Sequence, residues 1–183
     1  WVYNTRAIDK KTGRITELID PIVKTFHPNK KAGELTHYGD QMLLFLEHVS
    51  GSGGLNKKEY LKTWTKFFDS YNGYKDHAMK DTRENIGRGE ENPGSASTDL
   101  AGILYVPVLL YFGEAGKEQA AADAESAVTM THNNPSVTQA AGFFTRLLQE
   151  VLDGSGPVEA VDRLLSSENF NDDFSKLIKK GVD

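Results

Sequence analysis

The chain contains no cysteine. Disulfides, zinc–thiolate centres and thiol nucleophiles are excluded with it, and the absence fits a reducing compartment. Long apolar runs are also missing. The longest, Ile103 to Phe112, falls well short of the roughly 20 residues that span a bilayer and is interrupted by Pro107. No charged and then apolar leader opens the sequence, so a cytoplasmic protein without a membrane partner is expected. There is no basic excess either: 21 Lys and Arg stand against 26 Asp and Glu, a net charge of −5. The basic residues fall in short pairs such as Lys10-Lys11, Lys30-Lys31, Lys57-Lys58 and Lys179-Lys180. That scatter argues against nucleic acid as a partner, which demands clustered cations. A P-loop, a dinucleotide glycine fingerprint, an HExxH pair and a serine elbow are all lacking.

What is present is the balance of an ordinary globular chain, with 38% hydrophobic and 26% charged residues over 183 positions. It suits one compact domain. Residues 1–36 read as a polar N-terminal connecting segment broken by Pro21 and Pro28, and residues 37–183 as a helical domain. Met42, Leu43, Leu46 and Val49 repeat at helical spacing, widened by Leu44 and Phe45 into a helix buried on more than one side. Asn56 with Glu59 has the spacing of a capping box, and Leu61, Trp64, Phe67 and Phe68 follow as its buried stripe. A polar helix is expected over 75–86. Thr98 or Asp99 caps an apolar helix through Leu100, Ile103, Leu104, Val108 and Tyr111, kinked at Pro107. The Ala-rich stretch 117–131 favours helix. Asn134-Pro135 and Gly156-Pro157 are helix-start signals, Gly154 a stop, and Asn171 opens a last helix. Sustained period-two alternation is nowhere seen. The expected fold is therefore all-α, a compact multi-helix bundle.

Three segments can carry chemistry. His37 and Asp40 lie where a buried helix begins. A carboxylate there can ligand a hard cation, or simply complement the helix dipole. Gly94-Ser95-Ala96-Ser97-Thr98-Asp99 is small, hydroxylic and followed by a helix, which suits either a phosphate-bearing ligand or an ordinary capped loop. Thr131-His132-Asn133-Asn134-Pro135 places a histidine between two helices, to bond a ligand or to satisfy helix ends. His27, His48 and His77 read as surface or packing residues.

Taken in order, Tyr38-Gly39-Asp40-Gln41, Tyr71-Asn72-Gly73-Tyr74, Gly94 through Pro107, and Thr131-His132-Asn133-Asn134-Pro135 with Ala140-Ala141 and Gly154 resemble the ADP-ribosylglycohydrolase family. The nearest likeness is to its J1-crystallin branch, and Trp1-Val2-Tyr3 resembles that family's Trp-aromatic element. The resemblance implies an all-α fold around a cleft. There two divalent cations, magnesium or manganese, orient ADP-ribose and the attacking water. It implies Asp40 as a metal ligand and His132, Ser97 and Asp99 as residues that bind ADP-ribose or a related small molecule. Family hydrolases resemble Thr-Asp-Asp-Thr where this chain reads Tyr38-Gly39-Asp40-Gln41, so Asp40 alone survives as a ligand. The family's acidic first helix is expected upstream of Trp1 and its C-terminal Asp cluster downstream of Asp183. The Arg expected shortly before Pro107 is replaced by Leu104 and Tyr105.

Three roles follow. The first is a structural, crystallin-like or weakly ADP-ribose-binding pseudoenzyme. The second is a metal-dependent hydrolase completed by further segments. The third is a helical subunit of a larger assembly with protein partners.

Overall fold

The cap residues picked out above start real helices in the computed structural model, which describes residues 4–22, 26–27, 29–112, 117–167, 170 and 172–182. Asn56 Oδ1 accepts the Glu59 amide at 3.1 Å, while the Glu59 carboxylate turns to Lys62 at 2.8 Å, so only half of the capping box forms. Asn134 Oδ1 accepts the Ser136 amide at 2.9 Å, with Pro135 at the first helical position where its missing N–H costs nothing. Gly53 and Gly154 take positive φ (69° and 101°) at helix ends, a conformation that favours glycine.

The resulting order is α1 (Thr5–Lys11), α2 (His37–Ser52), α3 (Lys57–Asp69), α4 (His77–Gly87), a 3-10 segment (Leu100–Tyr105), α5 (Val106–Phe112), α6 (Lys117–Val128), α7 (Pro135–Leu152), α8 (Pro157–Ser167) and α9 (Asp172–Val182). No strand occurs among the described residues; a single parallel bridge joins Ser95 to His132. The all-α bundle is what forms. The main core joins Phe45, Tyr60, Trp64, Phe68, Met79, Tyr105, Val128 and Val137. Helices α6 and α7 pack side by side through small residues: Ala120, Ala121, Ala124 and Ala127 are buried against the helix that carries Ala141 and Gly142. A smaller core of Phe143, Val161 and Leu164, with Phe170 and Phe174 against it, fastens α8 and α9 to α7.

Several expectations need correction. On α2 the buried face is His37, Gln41, Leu44, Phe45 and Val49, while Met42, Leu43 and Leu46 are 37–44% exposed. Both faces are apolar, so periodicity could not say which one the core would take. On α3, Tyr60 joins Trp64 and Phe68 inside, and Phe67 is exposed. The helix after Asp99 begins as a 3-10 segment, and three residues per turn shift which side chains point inward. Gly102, Tyr105, Val106, Val108 and Leu109 are buried, whereas Leu100 and Tyr111 are exposed. Pro107 does not sit inside one continuous α-helix: it is the second residue of α5, in the first turn directly after the 3-10 segment, where no amide donor is required. The readings placed on Trp1-Val2-Tyr3, Pro28 and Asn171 lie outside the described residues.

Candidate functional site

The site is built on a backbone seam. Residues 94–95 run beside residues 129–133. The amide of Gly94 donates to Thr129 O (3.1 Å), that of Ser95 to Thr131 O (3.0 Å) and that of Asn133 to Ser95 O (2.8 Å). The two chains approach so closely that a Cβ on Gly94 would stand 2.4 Å from Thr129 O and 2.6 Å from the Asn133 nitrogen. Only glycine fits. Helix α4 is tied to the same seam. Thr82 Oγ1 donates to Thr131 O at 3.0 Å and accepts the Ser95 amide at 3.2 Å, and Ser95 Oγ donates to Asp81 at 2.8 Å.

His132 emerges from this seam and is almost wholly buried, its ring against Gly102 of the 3-10 segment. The Tyr105 hydroxyl donates to Thr131 Oγ1 (3.2 Å), which lies 3.1 Å from His132 Nδ1. Thr131 Oγ1 can donate to Nδ1 or accept from it, so either ring nitrogen can carry the neutral ring's proton. Burial lowers the His132 pKa, opposed in part by the negative charges of Asp76 and Asp99. Nε2 is buried and has no hydrogen-bond partner among the described residues.

A second histidine stands on the facing helix. His37 Nε2 lies 3.0 Å from Asp76 Oδ2, and Asp76 Oδ1 caps α4 by accepting the Met79 amide at 2.8 Å. Burial works to raise the Asp76 carboxyl. The bond to His37, the Met79 N–H and the charges of His37 and His132 outweigh it and hold the group below the usual carboxylate range. Beside His37, the Tyr38 hydroxyl donates to Asp99 Oδ2 at 2.9 Å, and the two rings lie 3.9 Å apart. Burial, and then this bond, raise the Tyr38 pKa. Asp99 in turn caps the 3-10 segment through Ala101 N (2.9 Å) and is linked by its own amide to Ser97 Oγ at 3.2 Å. His132, Ser97 and Asp99 thus gather at one corner with Tyr38, His37 and Asp76.

Asp40 is spent elsewhere. Its Oδ2 accepts from Lys30 Nζ at 2.7 Å and from the Tyr71 hydroxyl, whose pKa burial and Asp40 together raise. Among the described residues no group of three or more His, Asp or Glu is placed to hold a metal ion. An open groove of about 820 Å³ lies between α3 and residues 86–93, but its walls are Leu61, Ile86, Met130 and a row of lysines, with none of the corner residues.

Sequence reading missed the His37–Asp76 pair. Asp76 immediately before a helix is a legible cap, but nothing local says that its second oxygen would meet a histidine 39 residues away.

A family model described as ADP-ribosylglycohydrolase matches residues 2–181. Crystallin J1A of Tripedalia cystophora is 28% identical over 162 residues, covering 79% of this chain. The chain spans about half, 48%, of that relative's length. No solved structure matches.

Proposed function

Since the chain belongs to the ADP-ribosylglycohydrolase family, we propose that its helical domain, residues 37–183, binds ADP-ribose or a related small molecule at the His132–Ser97–Asp99 corner, in a non-hydrolytic or structural role. The observation that carries this is the buried Nε2 of His132, which lacks a hydrogen-bond partner among the described residues. A buried polar atom left unpaired costs about 1–3 kcal/mol, and a ligand hydroxyl, which can donate or accept, would recover it. Asp99 offers a carboxylate for ribose hydroxyls, and the Ser97 hydroxyl, which accepts the Asp99 amide, belongs to the same loop of small residues.

The family also implies magnesium or manganese, and here the residues do not fit. Hard cations need several oxygen ligands. In the element 38–41, Tyr38 is bonded to Asp99, Gly39 has no side chain, Asp40 is held by Lys30 and Tyr71, and Gln41 Oε1 accepts Trp64 Nε1 at 3.1 Å.

Calorimetric titration of the chain with ADP-ribose should show binding that changes little when magnesium is added. His132→Ala should weaken it at least ~10-fold. A strong magnesium-dependent gain would refute the reading, as would the absence of binding at millimolar ligand. Two other roles have an observation each. The relative's unmatched half favours hydrolysis completed by additional segments, tested by release of ADP-ribose from a modified peptide by a longer chain. The exposed apolar face of α2, with Leu35, Met42, Leu43 and Leu46, favours a protein partner, tested by the solution mass of the chain alone and in complex. Among the described residues no helix is long and apolar enough to cross a membrane.

A further inference from the structure

We infer that Lys30 is a built-in cation that takes the place of a metal at Asp40, so that this corner is made ion-independent by the chain itself. Four observations converge. The Lys30 ammonium reaches Asp40 Oδ2 at 2.7 Å, with side-chain exposures of only 21% and 16%, so the pair is partly withdrawn from water. The same oxygen accepts the Tyr71 hydroxyl, and Lys30 Nζ lies 5.7 Å from the Tyr71 ring centroid, giving the cation a second, aromatic contact. The segment that carries Lys30 is tied to the loop between α3 and α4 by Asn29, whose amide donates to Asn72 O at 3.4 Å. Finally, the neighbouring position is tight: a Cβ on Gly39 would meet Leu35 Cβ and Cδ2 at 3.0 Å, so a second carboxylate there would require Leu35 to shift by a few tenths of an ångström.

The physical consequence is a charge already matched. A charge-assisted bond of this length satisfies the carboxylate. A divalent ion would have to expel the ammonium or sit beside it against repulsion, and it would find one oxygen ligand where it wants six or more. Deleting either partner leaves the other's charge partly buried and unpaired, whereas deleting both does not.

The inference rests on the family reading of residues 38–41, not on ADP-ribose binding. Its test is a manganese titration of the full chain, read by the loss of the free Mn²⁺ paramagnetic signal, with thermal melting in parallel. The wild type should show no saturable site and an unchanged melting temperature in Mn²⁺. Lys30→Met should melt about 3–6 °C lower, and millimolar Mn²⁺ should raise it in part, through weak binding, absent from the wild type, at the single carboxylate of Asp40. Asp40→Asn should melt lower without any Mn²⁺ response, and the Lys30→Met/Asp40→Asn double variant should recover most of the loss. Saturable Mn²⁺ binding by the wild type that Asp40→Asn abolishes would overturn the idea. So would a Lys30→Met protein that melts and responds to Mn²⁺ as the wild type does. The ADP-ribose titration is a separate readout: its failure sinks the proposed ligand and leaves this result standing.

Discussion

Two corners meet near the start of α2, and they are finished to different degrees. At the Asp40 corner every polar group of the 38–41 element has a partner inside the chain: an ammonium, two phenols, a carboxylate and an indole N–H share the work. At the His132 corner the backbone is locked more tightly, by crossed amide bonds and a glycine that tolerates no Cβ, yet one buried ring nitrogen is left without a hydrogen-bond partner among the described residues. The contrast teaches that a rigid corner can leave one buried polar atom unsatisfied while a neighbouring one satisfies its side chains from within the chain.

The contrast can be broken most severely at Gly94. Gly94→Ala drives a methyl into Thr129 O and the 132–133 amides, so it should cost about 3 kcal/mol or more in urea unfolding and abolish ligand binding with the seam. Asp76→Ala comes next. It removes the α4 cap and the partner of buried His37 together, and about 2–3 kcal/mol should be lost by the same measurement. Thr131→Val takes away the hydroxyl shared by Tyr105 and His132 while keeping the shape. About 1–2 kcal/mol should go, and ADP-ribose should bind more weakly because the His132 ring is no longer oriented.

The smallest effect is on pH. Burial, the largest cause, lowers the His132 pKa from the ordinary histidine value of 6.5. Below that value the unfolded chain takes up a proton that the folded chain resists, so His132 contributes stability at neutral pH that is lost as pH falls below about 6.5. Melting temperature should therefore decline from pH 7.5 to 5.5 less steeply in His132→Gln than in the wild type. His27, also lowered mainly by burial, remains in both proteins and cancels in the comparison. An equal slope in the two would place His132 in a solvated setting and remove the distinction between the corners.

Much of the frame was legible beforehand because its signals are local. Asn56, Asp99 and Asn134-Pro135 start helices or 3-10 turns through bonds to amides two or three residues away, and such bonds depend on little else. The gathering of Ser97, Asp99 and His132 came from an ordered set of motifs rather than from any one of them. The order of side chains after Asp99 was not legible, since 3-10 geometry and α geometry read the same apolar string with different periods.

By itself, then, the sequence determined the all-α class, the starts of α3, the 3-10 segment and α7, and the exclusion of thiol chemistry, each of which needs only composition or near neighbours; α1, inside the segment 1–36 read as connecting, was missed. Tertiary structure alone decided which apolar face of α2 enters the core and which groups Asp40 bonds. The partners of that carboxylate lie 10 and 31 residues away in the chain, and a side chain's charge announces what it can bind, not which neighbour the fold will bring to it.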